Sequence, residues 1–136
     1  MAINSLGLIA AATAFLTIWI GHVAVRKIEA KAHDIRPPMF IAIALGLITE
    51  YLSLISLNRS LSTALGILGI TLLWDAFEIY RQEKRIKQGH APANPNNPRH
   101  AKILTEHPTA TTLDLLKREP IGRQVSSEEA PNLITH

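Results

Sequence analysis

Three long apolar stretches fill the first 80 residues: Ile3 to Val25, Pro38 to Leu57 and Leu61 to Tyr80. The first carries no Asp, Glu, Lys or Arg, the second only Glu50, and the third is uncharged as far as Trp74, before Asp75 and Glu78. A helix rises about 1.5 Å per residue, so roughly 20 apolar residues cross the hydrocarbon core of a bilayer. Each stretch reaches that length. The pattern predicts an all-α integral membrane protein with three transmembrane helices over 3–25, 38–57 and 61–80. The uncharged part of the third, Leu61 to Trp74, is short enough to suit a re-entrant helix as well. Trp74 and Tyr80 as interfacial aromatics, with Asp75 and Glu78 near the headgroups, favour a full crossing.

After residue 88 the apolar runs stop, and residues 89–136 hold six of the eight prolines. Such a segment buries too little apolar surface to offset its chain entropy. The expected division is a membrane domain over 1–88 and a largely disordered, cytoplasmic C-terminal tail over 89–136. Gly89 to His100, with Pro92, Pro95 and Pro98 among asparagines, reads as an extended hinge leaving the membrane. Farther on, Pro108, a capping-box-like Thr111 and Asp114, an apolar side of Leu113, Leu115 and Leu116, and a terminating Pro120 predict a short helix over 111–119. His90, His100 and His107 lack compact metal spacing and read as exposed loop histidines.

Charge orients the spans. The net charge of +3 belongs to residues 1–87, which carry nine Lys or Arg against six Asp or Glu; the remainder carries five of each. Arg26, Lys27, Lys31 and Arg36 lie between the first and second spans, and Arg81, Lys84, Arg85 and Lys87 follow the third. The turn Asn58 to Ser60 has only Arg59, and nothing basic precedes the first span. Basic flanks stay in the cytoplasm, so the N-terminus is expected outside and the tail inside. Without a basic n-region, and with so long an apolar run, the first span reads as a retained helix rather than a signal peptide. The basic residues flank spans instead of forming an aromatic-interleaved surface, so their expected partner is the lipid bilayer, not nucleic acid. The absence of cysteine excludes disulfides, CxxC redox pairs and thiolate metal sites.

Helical spacing singles out a few polar residues. Ala42, Gly46 and Glu50 recur every fourth residue, with Ser53 three later, so small and polar groups share a face that should meet another helix. Ser62, Gly66 and Gly69 form a similar set in the third span. A carboxylate near mid-bilayer costs about 2.5–3.5 kcal/mol on insertion scales, which ten strongly apolar residues at about −0.5 kcal/mol each offset. Glu50 is then either a neutral acid hydrogen-bonded to Thr13, Ser53 or a neighbouring subunit, or a proton or cation site. At the other boundary His22 and Arg26 end the first span, while Asp75, Glu78 and Gln82 share one face of the third. These are interfacial charges that pair and snorkel, or an interfacial enzyme joining His22 to Asp75 or Glu78. One histidine at this depth and no cysteine make a poor zinc centre.

At these residues the chain resembles the small bacterial membrane proteins of domain-of-unknown-function family 4491. That family carries a His-Pro motif at the end of its first helix. A Trp-x-x-x-Glu-x-x-x-Gln pattern and then Gly-x-x-Pro-x-Asn-Pro follow its third. His22, Val25, Lys27 and Glu29 fit the first motif, with Val23 in place of the proline; Trp74, Glu78 and Gln82 fit the second. Gly89, Pro92, Asn94 and Pro95 fit the last, with His90 where an aromatic is usual. The resemblance spans residues 5–96 and implies three membrane helices in a bacterial inner (cell) membrane. It brings no established activity with it.

The chain has no phosphate-cradling glycine loop, no G-x-S-x-G and no HExxH. No catalytic, cofactor or metal role is assigned. The expected protein is a non-enzymatic membrane component, acting as a homo-oligomer or as an accessory subunit of a larger complex. The alternative is a proton or cation conductor built around Glu50.

Overall fold

One unbroken helix runs through each apolar stretch in the computed structural model, which describes residues 4–114. The helices are α1 (Ser5–Lys31), α2 (Arg36–Ile55) and α3 (Arg59–Lys87), with a short α4 (Pro98–Glu106); there is no strand among the described residues. Asparagines open three of the four, because a side-chain oxygen satisfies an N–H that has no partner in the first turn. Asn4 accepts from the Gly7 N–H at 3.1 Å, Asn58 from the Leu61 N–H at 3.1 Å and Asn97 from the Arg99 N–H at 3.0 Å. Before α2, Asp34 accepts from the Arg36 N–H at 2.9 Å, and Pro37 and Pro38 occupy first-turn positions where a missing N–H costs nothing.

The first three helices are long and apolar enough to cross a membrane, the architecture of a multi-pass membrane protein. With 27 and 29 residues, α1 and α3 overrun the expected spans, continuing past Val25 to Lys31 and past Tyr80 to Lys87. At about 1.5 Å per residue both exceed a hydrocarbon core of roughly 30 Å by some 10 Å. The two overhangs leave from the same end of the molecule and carry its polar chemistry.

The central helix is α3. Gly66 and Gly69 lie against Ser53 and Glu50 of α2, and Leu73 lies against Gly46. Thr71 meets Thr17 of α1, their hydroxyls 3.2 Å apart, and Asp75 lies against Gly21. At about 100° per residue, Gly66 and Asp75 point roughly 180° apart. Hence α1 and α2 pack on opposite sides of α3 and hardly touch each other. The result is a flat three-helix slab with almost no interior.

The small and polar face of α2 does meet a helix, and that helix is α3 of the same chain. A Cβ on Gly46 would stand 2.8 Å from the Leu73 side chain and 3.1 Å from the Gly69 carbonyl oxygen. Small residues let backbones approach where lipid supplies no hydrophobic drive between helices. At the turn end the Ser53 hydroxyl donates to the Ser62 carbonyl at 2.8 Å, and the Ser62 hydroxyl donates to the Ser53 carbonyl at 2.9 Å.

The segment after α3 does not leave as an extended hinge. Gly89, at φ +74°, ends α3 in a Schellman turn: its N–H donates to the Ile86 carbonyl, and the His90 N–H to the Arg85 carbonyl. The chain then folds back. Ala91, Ala93 and Ile103 bury themselves on Ile86, and Leu104 and Ala110 pack around them. Nine residues of helix are marginal alone in water, so α4 owes its order to this docking. The helix expected over 111–119 is not seen in its described part, since Thr111 to Asp114 are irregular; the rest lies outside the described residues.

Candidate functional site

The last turn of any helix leaves carbonyls without N–H partners. At the end of α1, side chains of the fold-back segment fill those of Glu29 and Ala30 and that of the C-cap residue Ala32. Asn94 and Asn97 each donate to the Ala30 carbonyl, at 3.0 and 3.1 Å; Asn97 also donates to that of Ala32 at 2.9 Å. Arg99 donates to the Ala32 carbonyl from Nε at 3.1 Å and to the Glu29 carbonyl from Nη2 at 2.6 Å. A guanidinium at a helix C-terminus also meets the negative end of the helix dipole.

The same arginine anchors a buried charge network. Its Nη2 reaches Glu29 Oε1 at 2.7 Å and its Nη1 reaches Glu83 Oε2 at 2.5 Å, bridging α1 to α3. Glu29 is only 1% exposed and His100 is fully buried. His100 Nδ1 accepts from the Asn94 N–H at 2.8 Å, which leaves the ring proton on Nε2 to be donated to Glu29 Oε1 at 3.0 Å. Arg99 Nη2 and His100 Nε2 are thus two donors sharing one carboxylate oxygen, 2.8 Å apart. His100 is no exposed loop histidine. We call this set the clasp.

A second set lies beside it on α3. Glu78, 4% exposed, takes Arg85 Nη2 at 2.6 Å and Arg81 Nη1 at 3.0 Å, and Gln82 accepts from Arg85 Nε at 2.9 Å. Glu83 also holds Lys87 at 2.5 Å. Trp74 stacks edge-on against Phe77 at 5.7 Å on the outer surface.

The structure therefore sorts the residues singled out from sequence. Glu29, Glu78, Gln82, Asn94 and the Gly89 turn converge at one end of the molecule, although they come from three separated motifs. Pro92 closes the space between them and α1, lining cavities on both sides of Arg26. Lys27, Trp74 and Pro95 are exposed. His22 and Asp75 line a common cavity without a hydrogen bond between them, and Asp75 faces the backbone of Gly21. Glu50 stands apart, half-buried over Gly69. It has no hydrogen-bond or ion-pair partner among the described residues, because Ser53 is engaged with Ser62. Arg99, Asn97 and Glu83 were not singled out from sequence. The readable signal was Asn97-Pro98, an N-cap followed by a first-turn proline, ahead of Ile103 and Leu104.

The family model described as "Domain of unknown function (DUF4491)" matches residues 4–97, which takes in the three long helices and the start of the fold-back. No curated protein and no solved structure matches the chain.

Proposed function

The chain belongs to that family of unknown function, and on this premise we propose that it is a non-enzymatic membrane component that assembles with itself or with a larger membrane complex. It sits in a bacterial inner membrane with its N-terminus outside and the clasp in the cytoplasm. The observation that carries this reading is the state of its carboxylates. Glu29, Glu78 and Glu83 are each held by two cationic or N–H-donating side chains. Groups saturated in this way hold helices together; a general acid or base must instead be able to reach a substrate proton. Between its apolar spans the slab has almost no interior in which to enclose a substrate, and its broad apolar faces suit lipid or neighbouring helices. Purification of the full chain in a gentle detergent, followed by mass determination of the particle, tests the proposal. A strictly monomeric particle with no co-purifying membrane protein, at every detergent concentration, would count against it.

Conduction is the second reading, favoured by Glu50, which has no partner among the described residues. A carboxyl in hydrocarbon without a partner is costly and marks a functional position. Proton or cation flux in liposomes, lost in Glu50→Gln while the particle mass is unchanged, would support it over the purely structural role.

A further inference from the structure

Among the cations at the clasp end, Arg81, Arg85 and Lys87 of α3 are paired to Glu78 or Glu83. Arg26, Lys27 and Lys31 of α1 have no ion-pair partner among the described residues. All three line one cavity of about 480 Å³, which Pro92 and Asn94 of the fold-back also line. Its one carboxylate, Glu29, is already engaged by Arg99 and His100, so the chamber is positively charged. Its other wall is apolar: Trp19 and Val23 line it and continue, with Ile20 and Ala24, into a groove of about 320 Å³ along α1. From Trp19 to Lys27 is roughly 12 Å of helix, which carries the groove from the first charged turn down into the apolar span.

We propose that this chamber binds a phosphate-bearing anion, and that the anion is the phosphodiester of an anionic phospholipid. Arg26 offers a planar fork matched to phosphate oxygens, and Lys27 and Lys31 add compact point charges. The Trp19 to Ala24 groove takes the first part of an acyl chain. A soluble phosphate would use the charges and leave the groove empty; a zwitterionic lipid would use the groove and gain little from three cations. The site is complete within one protomer and does not depend on the assembly proposed above.

The test uses full-length protein carrying Trp74→Phe, so that Trp19 is the only tryptophan, reconstituted in vesicles of phosphatidylcholine with increasing phosphatidylglycerol. Bromine on the acyl chains of the phosphatidylglycerol should quench Trp19 at a lower mole fraction than bromine on those of the phosphatidylcholine. That preference should fall about fivefold for each cation removed in Arg26→Gln and Lys27→Gln. Arg26→Lys keeps the charge that orients the span and should lose only part of the preference. Inorganic phosphate and glycerophosphoglycerol at millimolar concentration should leave the quenching intact. Equal quenching by the two lipids, or a preference that survives the double substitution, would overturn the site. Displacement by the soluble phosphates would overturn its assignment to a lipid. Quenching is read per protomer, so a monomeric protein that still prefers the anionic lipid would sink the assembly proposal alone.

Discussion

Arg99→Met is the sharpest test of the clasp. The arginine donates to Glu29 Oε1, to Glu83 and to two α1 carbonyls, and only 14% of its side chain is exposed. Methionine keeps much of the volume and removes every donor. Glu29 then remains a buried carboxylate facing only His100 Nε2–H. Breaking a buried pair from one side costs about 3–5 kcal/mol, most of it the penalty of the stranded charge. Against this, the fully buried apolar hold of the fold-back is Ile103 with two alanines, Leu104 and Ala110 being only partly buried, and burying an isoleucine contributes about 1.5–3 kcal/mol. The loss equals or exceeds what Ile103 contributes, so the segment from Ala91 to Glu106 should open far more often while α1 to α3 stay assembled in lipid.

Hydrogen exchange on the reconstituted protein reads this directly. The Ala93 and Asn94 amides are hydrogen-bonded within the fold-back, to the Thr111 carbonyl and to His100. At about 1.4 kcal/mol per tenfold, their protection should drop by roughly two to three and a half orders of magnitude, with that of α2 unchanged. Glu29→Gln in the same chain removes the stranded charge, leaves an acceptor for His100, and should restore most of the protection. Unchanged protection in Arg99→Met, or a double variant as open as the single, would refute the idea that a buried charge pair holds the segment.

Gly46→Leu should destabilise the α2–α3 pair within the protomer, because Leu73 and the Gly69 backbone already occupy the space. Thermal unfolding in detergent should register a loss of at least about 1–3 kcal/mol, and a particle that merely changes oligomeric state at unaltered stability would contradict it. Gly21→Ala should lower the unfolding midpoint too, since its Cβ would stand 2.5 Å from Asp75 Oδ2; Asp75→Ala in the same chain should give most of that loss back. Single cysteines at Ser5 and Leu57 should react with an impermeant thiol reagent added outside sealed cells, and those at His33 and Asn96 only after permeabilisation. All four positions are exposed in the fold, and labelling of Asn96 in sealed cells would reverse the proposed orientation.

The helices were legible because the bilayer demands long uninterrupted apolar runs, a signal that needs no tertiary information. The face from Ala42 to Ser53 was legible for a related reason, since small residues at helical spacing have few other uses in lipid. The fold-back was not. Its order comes from asparagines and an arginine filling carbonyls more than 60 residues away, and a polar, proline-rich composition hides contacts of that kind. His100 shows the failure most plainly. Nothing adjacent in sequence marks it as buried, because the carboxylate it meets, Glu29, lies 71 residues away on α1 and its other partner, the Asn94 N–H, is brought round only by the turn of the fold-back.

The flat arrangement of the helices limits what Glu50 can do. It lies on the α2 side of α3, at Gly69. Toward the clasp, Thr49 turns its hydroxyl onto the carbonyls of Leu45 and Gly46, and the Thr17 and Thr71 hydroxyls and Asp75 lie on the α1 side. Gly69 and Asp75 are separated by about 9 Å along the helix axis as well as by the body of α3 itself. The Thr17 and Thr71 hydroxyls are also turned back onto the carbonyls of their own helices. A proton leaving Glu50 therefore meets no file of acceptors within the described part of one protomer. If the protein conducts, a second copy or a partner must bring polar groups to the open edge between α2 and α3. Conduction then requires assembly, though not the reverse: a variant that abolishes association while leaving each protomer folded must also abolish flux.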